Sequence, residues 1–230
     1  MLAVTVIAGI DKFLRHYPQM SIQPLNDSNV VLEGIFRFSA KYHKAPTITD
    51  EYRLRIAVSG KFPFDLPKVT ELDKKIPRDR KHHVNEADDT LCLGSPLRLA
   101  RAVTKEPTLT GFASLCLVPF LYAMSHKRLL GGELLFSELK HGIPGILDDY
   151  ADLFRLTDRE AAESALVLLG MKKRKANKRL CPCGCRGRVG KCKFNYTLRE
   201  WRKIAGRPWF RQQLADIRKD PTRLTASAMS

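Results

Sequence analysis

NVVLEGIFRFSA, residues Asn29 to Ala40, alternates apolar and polar side chains, as a strand does when one face is buried and the other is wet. TITDEYRLRIAVS, Thr47 to Ser59, repeats the pattern and places Tyr52, Leu54, Ile56 and Val58 on one side. The linking segment Lys41-Tyr42-His43-Lys44-Ala45-Pro46 is turn-like. A third short strand, Lys68 to Leu72, follows the proline-rich segment Phe62-Pro63-Phe64-Asp65-Leu66-Pro67. Together these segments predict an antiparallel meander.

Outside the meander the pattern is helical. Residues 5–17 predict a short helix with Ile7, Ile10, Phe13 and Leu14 on one face. Thr108 to His126 predicts a largely apolar helix that Pro119 kinks or interrupts. Leu129 to Leu139 and Ile146 to Phe154 continue as helices, split by Gly142-Ile143-Pro144-Gly145. Thr157 and Glu160 have capping-box spacing for a helix through about Leu169, with Gly170 as its stop. Two amphipathic helices follow, Leu198 to Ile204 and about Pro208 to Ile217. The fold class is α+β. There is no internal repeat and no phosphate-binding glycine loop.

The 230 residues are 44% hydrophobic, enough for a core and too apolar for global disorder. The apolar N-terminal run is ended by Asp11 and Lys12 and is too short to span a bilayer, so a cytoplasmic protein with no membrane partner is expected. Charge divides the chain. Residues 1–170 carry 22 Lys+Arg and 21 Asp+Glu, whereas residues 171–230 carry 18 and 3, a net of +15. A near-neutral body, 1–170, and a basic tail, 171–230, are therefore expected. The tail's partner is acidic, either nucleic acid or a protein face; a loosely ordered solvated tail is the plainer alternative.

Between meander and helices runs KHHVNEADDTLCLG, Lys81 to Gly94, an irregular stretch punctuated by Asp88-Asp89 and Gly94-Ser95-Pro96. It sets Cys92 in an apolar clip, with Asn85 seven residues upstream and His83 two before that. A thiolate can carry an acyl group, and an amide N–H can donate to the oxyanion formed when that group is passed on. Asp88 and Asp89 either orient an incoming amine or shape a polar turn. A cysteine between leucines is often just a small hydrophobe, the reading given to Cys116. His16, His43 and His126 read as surface residues, and His141 as a core or surface packing residue, with an approach to the active site the lesser option.

Lys61-Phe62-Pro63-Phe64-Asp65-Leu66-Pro67-Lys68-Val69, His83-Val84-Asn85 and Leu91-Cys92-Leu93 together resemble three motifs of the ubiquitin-conjugating enzymes. They are the YPF-x-x-P-x-V segment, the His-Pro-Asn motif and the cysteine clip. Val84 stands where that family has proline, and the body has no tryptophan after the cysteine. Residues 129–154 look more like divergent bacterial relatives found in ubiquitin-like conjugation and phage-defence operons.

The resemblance implies an N-terminal helix, a β-meander, an active-site loop and C-terminal helices. It implies Cys92 as thioester carrier, Asn85 as oxyanion donor and His83 as a brace of the loop, with a general-base role for His83 the lesser option. The implied partners are a ubiquitin-like modifier, a ubiquitin-activating-like enzyme and a target protein. The rival readings are a non-catalytic protein that binds nucleic acid or protein through its tail, and a Cys–His hydrolase using Cys92 and His83. His82 replaces His83 if the register slips by one.

In the tail, Cys181, Cys183, Cys185 and Cys192 lie within twelve residues, a crowding that points to structural zinc in a reducing compartment. The stretch resembles the SEC-C motif, with its eight-residue spacing between Cys183 and Cys192. Lys193 stands where that motif has a second Cys or His, and Cys185 supplies the missing ligand. So short a stretch is expected to take most of its folding energy from the metal. The result is a knob presenting Arg186, Arg188, Lys191 and Lys193, with aromatics at Phe194, Tyr196, Trp201, Trp209 and Phe210. Basic plus aromatic composition suits nucleic acid or an acidic protein, and protein is favoured; the aromatics also read as a small core.

Overall fold

The computed structural model describes residues 7–24, 29–42, 44–85, 87–132, 142–221 and 223–224. His43, His141 and most of the helix expected over Leu129 to Leu139 lie outside these residues. The chain forms two compact units, Met1–Glu138 and Leu139–Ser230. The expected boundary at 170 thus falls inside the second unit.

The first unit is built on a four-stranded antiparallel sheet in sequence order: β1 Met20–Ile22, β2 Asn29–Ala40, β3 Ile48–Ser59 and β4 Lys68–Glu71. Leu32 pairs with Ile56, and Ile56 with Val69, so the apolar rows of three strands align on one face. Val30, Leu32, Phe36 and Phe38 of β2 are buried with Tyr52, Leu54, Ile56 and Val58 of β3. Strand β1 is absent from the alternation reading. Gly34 admits it: a Cβ there would lie 2.0 Å from the Gln19 carbonyl oxygen, so only glycine lets the first strand approach.

Helix α1, Ile10–His16, buries Phe13, and Tyr17 just past its end stacks on Phe36 at 4.1 Å between ring centroids. Ser95 caps a helix the spacing did not reveal, α2, Pro96–Val103, by accepting from the Arg98 N–H with Pro96 in its first turn. A long helix, α3, Leu109–Leu130, closes the unit. Pro119 has no N–H, and its ring would press on the carbonyl four residues back. The helix answers with a wider π turn over Ala113–Leu117 and continues through the proline. This helix is long and apolar enough to cross a membrane, yet most of it is buried inside the fold, where Phe112, Leu117 and Leu121 join the core.

A polar chain ties α3 to β3. The Tyr52 hydroxyl bonds to Ser125 Oγ (2.8 Å), and Ser125 Oγ donates to Asp50 Oδ2 (2.6 Å). Asp50 also holds Lys75 (2.5 Å) and Arg128 (2.7 Å).

The second unit is helical: α4 Gly142–Phe154, α5 Arg159–Gly170, a single turn α6 Lys173–Ala176, then α7 Phe194–Ile204 and α8 Arg207–Arg218. Asp158, not Thr157, caps α5: its carboxylate accepts the Ala161 N–H at 2.8 Å, and Thr157 donates to that carboxylate at 2.7 Å. Leu147, Tyr150, Phe154, Leu166, Leu198, Trp201 and Phe210 are buried. Phe154 meets Trp201 edge to face at 5.5 Å. Glu163 on α5 grips Arg218 on α8 (2.7 Å) and Arg223 beyond it (3.0 Å). The residues after 170 therefore share a core with α4 and α5. Outside the cysteine stretch these residues thus have an apolar core to pack on.

Candidate functional site

Strand β4 anchors the cysteine loop. The Leu91 N–H donates to the Val69 carbonyl at 2.7 Å, and Thr90 bridges Thr70. The loop then pairs with itself. Val84 bridges Leu91, the Asn85 N–H donates to the Thr90 carbonyl at 2.9 Å, and the Cys92 N–H donates to the His83 carbonyl at 2.7 Å. Strand alternation sends Val84 and Leu91, both buried, into the core. Thr90 and Cys92 flank Leu91 and face the other way, as does Asn85 opposite Thr90. Asn85 and Cys92 thus occupy diagonal positions in this pairing.

The carboxamide is held in place. Asn85 Nδ2 donates to Thr90 Oγ1 at 2.8 Å, and Thr90 Oγ1 donates to Asp88 Oδ1 at 2.6 Å. An amide nitrogen has two hydrogens, so one remains to donate elsewhere. Asp88 also accepts the Thr90 N–H, and its pairing with Thr90 lowers its pKa. Asp88 therefore serves the turn. Asp89 sits in the left-handed region at φ 54°.

Cys92 is half-buried, and burial raises its thiol pKa above the usual range, against the lowering pull of the Gly94 N–H. Cys116 is buried and pushed up to about 12 by burial, as fits a small hydrophobe.

Val84 explains the missing proline. Its N–H donates to the Asp79 carbonyl at 3.3 Å, and His83 before it has φ 54°. Proline offers no N–H and disfavours helical backbone in the residue before it. His82 has a carboxylate partner: its Nδ1 lies 2.7 Å from Asp79 Oδ1, and its N–H donates to the same oxygen. Asp79 and Thr90 were not read from sequence as site residues. The signal for Asp79 is an Asp three residues before a His, capping the turn Arg80–His82. His126 is half-buried beside Tyr122 rather than on the surface.

In the second unit the four expected cysteines come together. Their sulfurs all lie within 4.8 Å of one another, with Cys181 and Cys183 at 3.2 Å and Cys183 and Cys192 at 3.5 Å. These separations exceed a disulfide bond of about 2.05 Å. They bracket the sulfur spacing of a tetrahedral Zn–S₄ site, roughly 3.8 Å for bonds of about 2.3 Å. Four closely spaced thiols of this kind could hold a metal ion. A hairpin presents them: the Cys181 N–H donates to the Gly187 carbonyl (2.9 Å), and the Val189 N–H to the Arg179 carbonyl (2.9 Å). At Cys183, burial pulls the thiol pKa up, but hydrogen bonds from the neighbouring cysteines outweigh it and bring it to about 7. Cys181 is shifted upward, by burial first.

Phe194, Trp201 and Phe210 are core residues, and Tyr196 is exposed. Arg186, Arg188, Lys191 and Lys193 are exposed around the hairpin. No protein-family model, curated protein or solved structure matches the chain.

Proposed function

We propose that the chain is a thioester-forming transferase of the ubiquitin-conjugating type, acting in a bacterial cytoplasm. The observation that carries the reading is the pairing within the loop, in which Asn85 lies opposite Thr90 and the Cys92 N–H bonds the His83 carbonyl, on a segment anchored to β4. The order of helix, four-stranded meander, cysteine loop and helices supports it as well.

In the first step the Cys92 thiolate attacks the thioester carbonyl of a ubiquitin-like modifier carried by an activating enzyme. A new C–S bond forms, and the activating enzyme's thiolate leaves. In the second step a target amine attacks, the Cys92 thiolate leaves, and the amine proton passes to solvent. Asn85 donates its free amide hydrogen to the oxyanion of this second step, a contribution of about 2.7–4 kcal/mol in comparable holes. A raised thiol pKa makes Cys92 a poorer leaving group. That slows loss of the acyl group to water, which suits a carrier. His82 has an orienting carboxylate, Asp79, and lines a cavity with Tyr52, Lys75 and Met124 that Cys92 does not line. This weighs against a Cys–His hydrolase that uses His82.

The cysteine cluster binds zinc as a structural ion that holds a basic recognition knob. A second reading, a nucleic-acid-binding module, is favoured by one observation. Tyr196, Arg199 and Lys203 form one exposed stripe on α7. A steep log–log salt dependence of nucleic-acid binding, lost in Arg199→Ala/Lys203→Ala, would support it.

The deciding experiment mixes the protein with the activating enzyme encoded beside it, its modifier and ATP. The expected product is an adduct cleaved by reducing agent, absent in Cys92→Ala and resistant to reductant in Cys92→Ser. No adduct with a competent activating enzyme overturns the reading.

A further inference from the structure

Between β3, the turn Arg80–His82 and α3 lies a cavity of about 270 Å³, lined among others by Tyr52, Lys75, His82, Met124, Lys127 and Arg128. Its charge is unbalanced. Lys75 and Arg128 share a single carboxylate, Asp50, at 2.5 and 2.7 Å. Among the described residues Lys127 has no acidic partner, and His82 is matched by Asp79. Three cations therefore face one carboxylate, an excess of two positive charges at a partly enclosed site.

The donors are also unspent. Lys75 uses two of its three N–H groups, on Asp50 and on the Glu51 carbonyl, and lies 4.4 Å from the centre of the Tyr52 ring. Arg128 bonds Asp50 through Nη2, leaving most of its five-donor fork. Lys127 keeps all three. Asp50 fixes Lys75 and Arg128, so little of their side-chain freedom is lost on binding. A group with several acceptor oxygens and a charge near −2 matches this set, and phosphate is that group.

We propose that this cavity binds a phosphate group, as free phosphate or at the end of a small phosphomonoester. The site is independent of the thioester chemistry assigned to Cys92. It touches that loop through His82, whose neighbour His83 accepts the Cys92 N–H, so an occupant braces the turn from which the loop departs.

The test uses the full chain, with sodium phosphate and adenosine monophosphate titrated separately at constant ionic strength. The readout is the Met124 methyl resonance, assigned with Met124→Leu, because the methyl lies in the cavity wall and not in the basic second unit. A saturable shift is expected, with affinity falling about tenfold or more in Lys127→Ala, whose side chain has no partner to lose. Tighter binding of the monophosphate supports the site with an organic phosphate as its ligand; equal or tighter binding of phosphate supports it with the free ion. No saturable shift against a chloride control overturns the proposal. So does an isotherm unchanged in Lys127→Ala, which would mean that the anion acts from elsewhere.

Discussion

The Cys92 N–H donates to the His83 carbonyl oxygen at 2.7 Å, tying the backbone of Cys92 to a residue held at φ 54°. That backbone is kept left-handed by the turn Asp79 to Val84, in which the Val84 N–H returns to Asp79. Val84→Pro should therefore damage this protein, although it restores the residue of the family it resembles. It removes the bond and forces His83 toward extended backbone. Destabilisation of about 1–3 kcal/mol is expected. Hydrogen exchange at the Cys92 amide checks the mechanism, since an amide still protected in the variant would show that His83 has not moved.

Thr90 holds the carboxamide of Asn85, the proposed oxyanion donor. Its hydroxyl accepts from Asn85 and donates to Asp88, so Thr90→Val frees the Asn85 side chain while Asp88 keeps its bond from the backbone N–H at residue 90. In single-turnover assays Asn85→Ala should charge Cys92 normally and discharge to lysine about 10²–10³-fold more slowly. Thr90→Val should show the same split at smaller size, about tenfold. A charging defect as large as the discharge defect would remove Asn85 from the oxyanion role.

Burial raises the Cys92 thiol pKa, so the thiolate is a minor species near neutrality. Alkylation of Cys92 by iodoacetamide should rise tenfold per pH unit up to at least the ordinary thiol value, about 8.5, without a plateau. The neutral thiol is the form the fold favours. Its contribution to stability is thus complete below the unfolded value and lost as pH rises through the folded one. A plateau near pH 7, read by mass spectrometry of the Cys92 peptide, would contradict the burial argument.

What was legible in the sequence follows the side chains that report their surroundings. Period-two alternation gave β2 and β3, because each has one buried face. The short β1 has too few residues to alternate, and its only trace is Gly34 on a neighbouring strand. Pro119 announced a disturbance, but not that a π turn would absorb it. The four cysteines were legible because thiols at that spacing have few other uses. The cavity was not, since Tyr52, Lys75, His82 and Lys127 converge only through the sheet register and the seating of α3. Charge counting placed the boundary at 170, yet charge sits on surfaces, and the shared core of α4, α5, α7 and α8 follows apolar side chains such as Trp201.

That shared core sets the outcome of metal removal. Trp201 and Phe210 are buried against helices that contain none of the cysteines. If the proposed metal is bound, chelation should therefore release one metal ion per chain and expose the hairpin, residues 177–192, to hydrogen exchange, while the fluorescence of Trp201 stays that of a buried ring. Cys181→Ser/Cys183→Ser should abolish the metal and leave α4 and α5 protected. Full unfolding of the second unit on chelation would make the metal its main source of stability.

Asp50 gives the first unit its acid sensitivity. Burial alone would raise its pKa, but bonds from Lys75, Ser125, the Glu51 N–H and Arg128 outweigh that and hold it far below the usual carboxylate range. The unfolded chain titrates near ~3.9. Because the folded pKa is the lower one, the stabilisation is fully present above that value and is lost as pH falls below it. Protection of β3 in hydrogen exchange should therefore decline below about pH 4. Asp50→Asn should lower stability at pH 7 by about 3 kcal/mol, since it strands Lys75 and Arg128 without their counter-charge. The variant should also lose part of the acid slope. An unchanged slope would mean that other carboxylates, not this one, carry the acid transition.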